Sequence, residues 1–261
     1  MRTEQNRTEQ NRTDQNRTEQ NRTEQGYQIL DWDTEFFEIK VAKIIALNLN
    51  YEEIKEILLK LAKDGVKLVY WASENEIPNN EVKKLGGCLV DRKTTFSINL
   101  NRLNSDNFIS TDIVKKYDPS MSSNELEKLS IQSGKYSRYS VDKNIKRDKF
   151  EKLYTIWIKR SIGKEIADEV LVILDNGNIA GMITLGNKNG KGDIGLLAVE
   201  SRFRGKKYGE QLVSAAQKWF IRNGYEVGQV VTQGDNIPAS NLYKKCGYNV
   251  ETVEYFYHFW L

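Results

Sequence analysis

Histidine and cysteine are nearly missing from this chain. The one histidine is His258, and the two cysteines are Cys88 and Cys246. That scarcity argues against the common Cys/His zinc sites, and no metal is expected. A Ser–His–Asp nucleophile would have to use His258, which sits in an aromatic run. Two cysteines far apart in the sequence make no disulfide framework, so a reducing, cytoplasmic setting is expected. Long apolar runs are lacking too. None approaches the roughly 20 residues that cross a bilayer, and no apolar signal region stands at the start. Membrane insertion is therefore not expected. Nor is charge of one sign in excess: 39 Lys and Arg face 36 Asp and Glu, a net charge of +3. Such a balance does not point to nucleic acid.

What the chain has first is a repeat. Residues 1–25 are five copies of a five-residue word, MRTEQ-NRTEQ-NRTDQ-NRTEQ-NRTEQ. A period of five returns neither to one helix face nor to one strand face. Apart from Met1 there is no apolar residue to bury, so the segment cannot offset its ordering entropy and is expected to be a disordered tail. Its Asn-Arg-Thr sequons at Asn6, Asn11, Asn16 and Asn21 matter only in a secreted chain. Five arginines and five acids make the tail neutral, and removing it leaves the net charge at +3.

Residues 26–91 read as a small α/β domain. "YQILDW" and "FFEIKVAKIIAL" read as extended, with alternation through Phe37, Ile39 and Val41. "NYEEIKEILLKLAKDG" reads as a helix capped by Asn50. "VKLVYWA" is a strand, "NNEVKKLGG" a short helix, and "CLVD" extended. Residues 92–261 form a second domain. "TTFSINL" and "ISTDIVKKY" are strands, and "SSNELEKLSIQSG" is a helix with a capping box from Ser123 to Glu125–Glu127. "SRYSVDKNI" is a loop and "KRDKFEKLYTIWIKRSIG" a helix. "EVLVILD", Asn-Gly-Asn and "IAGMITLG" spell a hairpin. "DIGLLAV" is apolar throughout and belongs in the centre of a sheet. A helix, a strand, a helix and a long final strand complete the chain.

The chemistry lies in "IGLLAVESRFRGKKYGEQLV". A buried strand runs into a loop carrying Arg202, Arg204, Gly205, Lys206, Lys207 and Gly209, which opens directly into an amphipathic helix. Free N–H groups at a helix N-terminus, glycines and basic side chains make an anion site suited to a diphosphate. A solvated basic turn is the plainer alternative.

Here the chain resembles the GNAT acetyltransferases, whose Arg/Gln-x-x-Gly-x-Gly/Ala motif holds the pyrophosphate of acetyl-CoA. Arg204 to Gly209 matches at its ends, with Lys207 in place of the middle glycine. A second family motif is matched by Asn236, Ala239, Asn241, Leu242, Tyr243, Lys245, Gly247 and Tyr248. The resemblance covers about residues 92–261. It implies an α/β GNAT fold, a mixed, splayed central sheet flanked by helices, here preceded by the smaller α/β unit and the repeat tail. It also implies acetyl-CoA as co-substrate. Leu197, Ala198, Val199, Arg204, Gly205, Lys206, Lys207, Tyr208, Gly209, Glu210, Asn236 and Asn241 would hold it. Tyr243 would protonate the leaving thiolate, and Glu200 is one candidate base, a water chain the other.

"WDTEFFEIKVAKI", "SRYSVD", "LYTIWIKRSI", "IADEVLV" and "IGLLAV" look further like the TDP-fucosamine N-acetyltransferases, which carry a small α/β unit before the GNAT domain. This implies acetylation of a TDP-linked 4-amino-4,6-dideoxy sugar for surface polysaccharide, with Arg138, Asp142, Trp157 and Ser161 near the acceptor, and suggests a homodimer. Two other readings stay open: acetylation of an antibiotic, polyamine or peptide amine, and a non-catalytic acyl-CoA-binding module.

Overall fold

The computed structural model describes residues 26–104 and 108–261; the tail of residues 1–25 lies outside them. The chain divides into two units. One contains residues up to Asp91 together with Glu254–Leu261, the other Arg92–Val253. The chain leaves the first unit within strand β4 (Gly87–Asn99) and returns within β10 (Asn249–Trp260). The division read from sequence ran the second domain to residue 261. In the structure the end of β10 pairs antiparallel with β3 (Leu68–Ser73), from Tyr255 opposite Ser73 to Trp260 opposite Leu68, and so completes the first unit.

In that unit β1 (Tyr27–Ile29) runs antiparallel to β2 (Val41–Ile44), and β2 runs parallel to β3. Helix α2 (Tyr51–Lys63) opens with a complete capping box. The Asn50 side chain accepts from the Glu53 N–H, and the Glu53 carboxylate accepts from the Asn50 N–H. Its Ile54, Leu58 and Leu61 pack on Val69, Trp71, Tyr257 and Phe259. His258 is fully buried with its ring 4.7 Å from that of Tyr70. The stretch before β2 is not extended as expected. It is a helix, α1 (Asp31–Phe37), in which Trp32 and Phe36 stack at 5.1 Å one turn apart. Glu38 then bends through a left-handed φ of 60°. That bend breaks the alternation that suggested one strand.

The second unit is a mixed sheet in the order β4, β9 (Val227–Gln233), β8 (Lys191–Val199), β7 (Asn178–Lys188), β6 (Glu169–Asp175), β5 (Val114–Lys116). All neighbours are antiparallel except β8 and β9. Helices cover both faces, which the strand period of two requires. Leu171, Ile173, Ile183 and Ile194 meet Leu212, Val213, Ala216 and Phe220 of α7 (Tyr208–Arg222). Val170, Val172 and Met182, one residue out of step, meet Leu126, Leu129 and Ile158 of α4 (Ser123–Ser133) and α6 (Arg147–Ile162).

Asn176 and Gly177 at the β6–β7 turn have φ of 50° and 80°, as a two-residue hairpin requires. The α4 cap is Ser122, not Ser123, and there is no box, because the Glu125 carboxylate accepts from the Ile179 N–H at 3.0 Å. "SRYSVDKNI" is not wholly loop: Arg138–Val141 is a short helix, α5. The predicted strand over "ISTDIVKKY" is confined to Val114–Lys116.

Candidate active site

β8 and β9 stay paired only from Gly192–Ile194 to Gly228–Val230. The cause is next door. On the other side of β8, Ile183 faces Leu197 while Leu185 faces Ile194, so Gly195 and Leu196 together oppose Thr184. Two residues against one is a β-bulge, which bends its strand and raises the local twist. The Leu196 N–H that the bulge removes from the ladder donates to the Thr184 Oγ1 at 2.8 Å. A Cβ on Gly195 would come within 2.8 Å of that same oxygen. Past the bulge the Glu200 N–H donates to the Ala180 carbonyl, toward β7. By strand alternation the backbone groups of Leu197 and Val199 point the other way, into the gap where β9 has diverged. The Val199 carbonyl there accepts from Gln132 Nε2 at 2.8 Å.

A cleft of about 230 Å³ occupies this gap. Leu197, Ala198 and Val199 form one wall, Arg204 and Gly209 a second, and Asn236, Pro238, Ala239 and Leu242 a third; Gln132, Ser133, Lys135 and Tyr136 close the end. Gly209 is where α7 comes close to helix α8 (Ile237–Lys245): a Cβ there would approach the Leu242 side chain to 3.0 Å. Asn236 caps α8, accepting from the Ala239 N–H, while its Nδ2 donates to Thr232 Oγ1 at 3.2 Å.

The loop between β8 and α7 runs directly into the helix. The Gln211 N–H reaches back to the Lys207 carbonyl, so the N–H groups of the first helical turn are left for a ligand. Lys207 takes a left-handed φ of 60° at the helix entry. It therefore keeps the backbone shape a glycine would give, at a strain cost of about 1–2 kcal/mol. Gly205, at φ 84°, takes a similar turn without that cost.

The basic side chains divide into two groups. Lys206 Nζ lies 2.5 Å from Asp175 Oδ2, and the Tyr208 hydroxyl donates to the same oxygen at 2.7 Å. These bonds hold the Asp175 carboxyl below its ordinary value and push Lys206 and Tyr208 up. Arg202 pairs with Glu200 and lies over the Phe203 ring. Among the described residues Arg204 and Lys207 make no ion pair. They remain for an anion, and Arg204 lines the cleft.

Other expected residues stand elsewhere. The Glu210 carboxylate turns to Lys245 at 2.8 Å and lines a different cavity, with Ser214 and Cys246. Asn241 is exposed and is not part of the cleft wall. Glu200 lines a neighbouring cavity of about 300 Å³ with Glu125, Lys128 and Gln132. Tyr243 is buried, its ring centroid 5.9 Å from Phe96 and 6.2 Å from Tyr248, and it does not line the cleft, although its chain neighbour Leu242 does. Burial pushes its phenol well above the ordinary tyrosine value.

The four acceptor candidates do not converge on the cleft. The buried Ser161 hydroxyl is bonded to the Trp157 carbonyl of its own helix. Trp157 packs edge-on to Tyr139 and Tyr154. Arg138 bonds the Tyr139 hydroxyl, and the buried Asp142 accepts from the Asn144 N–H. The residues that do close the cleft's end, Gln132, Ser133, Lys135 and Tyr136, carried no sequence signal. Neither did Asp175 or Thr184, whose partners lie 31 and 12 residues away.

Among the described residues no group of three His, Cys, Asp or Glu could hold a metal. No helix among them is long and apolar enough to cross a membrane.

Residues 137–248 match the acetyltransferase (GNAT) family, whose members use acetyl-CoA. Over 60 residues the chain is 33% identical to streptothricin acetyltransferase of Escherichia coli. That overlap spans 23% of this chain and 34% of the relative, about a third of its length. A GCN5-related N-acetyltransferase from Sphaerobacter thermophilus shares the fold at a TM-score of 0.58 and 13% identity, over 89% of this chain and 75% of that one. A conserved protein of unknown function from Staphylococcus epidermidis does so at 0.58 and 13%, over 84% and 83%.

Proposed function

With residues 137–248 carrying GNAT acetyltransferase sequence, we propose that the protein is an acetyl-CoA-dependent N-acetyltransferase in which a neutral amine attacks directly. The observation that carries this reading is the cleft itself, where the freed backbone of Leu197 and Val199 meets the helix N-terminus at Arg204–Gly209. Acetyl-CoA, when bound, supplies the thioester that the amine attacks. The N–H groups at the start of α7, with Arg204 and Lys207, would hold its phosphates. Backbone N–H groups of β8 would hydrogen-bond its amides and stabilise negative charge at the thioester oxygen. The cleft's walls would bring the two reactants together, which supplies much of the acceleration.

Tyr243 is the proposed proton source for the leaving sulfur. A free thiol has a pKa of about 8.5. A buried phenol pushed above its ordinary value therefore stays protonated, and full transfer to sulfur is uphill. Its contribution is then a hydrogen bond to the developing thiolate.

For the acceptor, the likeness to TDP-fucosamine N-acetyltransferases favours the 4-amino group of a TDP-linked 4-amino-4,6-dideoxy sugar. Lys135 in the cleft wall supports an anionic acceptor of this kind. The match to streptothricin acetyltransferase favours a second reading, another small-molecule amine. Thiol release from acetyl-CoA, measured with the nucleotide sugar and with a panel of cationic amines, separates the two. Release with the sugar and an acetylated product by mass is the expected result. Release only with a cationic amine would replace the acceptor. Acetyl-CoA binding without release on any amine would leave an acyl-CoA-binding module.

A further inference from the structure

One carboxylate near the site has no part in the chemistry above, yet two residues of the phosphate-facing loop converge on it. Asp175 ends β6 at the two-residue hairpin turn, where it pairs with Asn178. Such a turn allows its flanking residues little freedom. Its Oδ2 receives both the Lys206 ammonium, at 2.5 Å, and the Tyr208 hydroxyl, at 2.7 Å. The residue between those two donors is Lys207, the one non-glycine in the loop with a left-handed backbone. The strained residue is therefore bracketed by two bonds to a single fixed oxygen.

We infer that Asp175 is a positioning residue: it pins Lys206 and Tyr208 to the sheet and so holds Lys207 in the left-handed turn that aims the first-turn amides of α7 at the cofactor's phosphates. This rests on the reading of the cleft as a coenzyme A site. Neither Asp175 nor Lys206 lines the cleft, so the carboxylate does not compete with the ligand for that space. The loop also carries four cations in six residues, Arg202 to Lys207, whose mutual repulsion opposes a tight bend. Asp175 neutralises one of them within the bend, and Glu200 neutralises Arg202.

The test is calorimetric titration of coenzyme A into the wild type, Asp175→Ala, Lys207→Gly and the double variant, with circular dichroism to check folding. Asp175→Ala should raise Kd by about tenfold or more, as expected for lost charge-assisted bonds. In the Lys207→Gly background the same change should cost much less, because glycine adopts the left-handed turn unaided. If Asp175→Ala does not fold, Lys206→Met combined with Tyr208→Phe removes the same bonds and leaves the carboxylate in place. An unchanged or lower Kd in the variant overturns the proposal. So does an equal penalty in both backgrounds, since the effect would not then pass through the bend at Lys207. A wild type that binds no coenzyme A overturns the reading of the cleft itself, and is told apart from the other failures because those require wild-type binding.

Discussion

Two residues carry the most local weight. Thr184 lies on β7, and its hydroxyl satisfies the amide that the β8 bulge takes out of the ladder. Thr184→Val keeps the shape and removes that acceptor. A buried donor left unpaired costs about 1–3 kcal/mol, so urea denaturation should show a loss of that size, accompanied by weaker coenzyme A binding. Tyr243→Phe should lower kcat for acetyl transfer about 10²-fold, within the range of general-acid contributions, and leave acetyl-CoA affinity unchanged. An unchanged kcat would take Tyr243 out of the mechanism. Because burial raises its pKa, no limb of the pH–rate profile below the ordinary tyrosine value should vanish in this variant. Of the residues expected to hold the cofactor, Arg204, Gly209, Asn236 and the β8 trio line the cleft, whereas Glu210 and Asn241 do not. The acceptor residues were not legible. Arg138, Trp157 and Ser161 look like binding residues in a string of letters. Only packing reveals that the Ser161 hydroxyl is taken up by the Trp157 carbonyl of its own helix and that Trp157 belongs to an aromatic cluster.

Among the elements, the pairing of β8 with β9 sets where the cleft begins. Asp193 and Gln229 face each other there, and Gln229 Nε2 donates to Asp193 Oδ1 at 2.8 Å. Burial raises the Asp193 carboxyl above its ordinary value, outweighing that hydrogen bond. The folded state thus holds this proton more tightly than the unfolded chain. Asp193 therefore costs stability at pH values above its folded pKa, and the cost fades as pH falls through that value toward the unfolded one. Asp193→Asn keeps the acceptor oxygen and removes the charge. It should raise Tm at pH 7, with a gain that shrinks as the melt is repeated toward pH 4; a pH-independent gain would refute the assignment. Helices with an apolar stripe, such as α7 and the Asn50-capped α2, were readable from sequence, as was the Asn-Gly hairpin. Helix α1 was not. Its seven residues carry too few turns to show a period, and the alternation that continues past Glu38 is accidental to the bend.

For the molecule as a whole, the mixed sheet with flanking helices was expected from the family resemblance, and the structure's first unit closes at Asp91 but also takes in Glu254–Leu261. The repeat of residues 1–25 contributes no apolar side chain beyond Met1. A chain lacking it should show the same kcat/KM for acetyl-CoA and the same melting curve, and a loss of either would give the repeat a role. The return of Glu254–Leu261 to the first unit was not legible, because nothing local announces that a strand will pair with one some 180 residues away; the Ile77 N–H and the Tyr257 hydroxyl that bond across this distance are 180 apart.

That long return has a consequence for how the protein is made. Contacts between residues so distant in the chain form late, since a large loop must close first. The β6–β7 and β7–β8 hairpins of the second unit need no such closure. Until β10 arrives, β3 offers an unpaired edge along residues that are all buried in the finished protein, Leu68 to Ser73. Bare apolar edges of this kind seed association between chains. A chain ending at Val253 should accordingly accumulate in the insoluble fraction on expression, while one carrying β10 stays in solution, and fractionation of the two by centrifugation would tell.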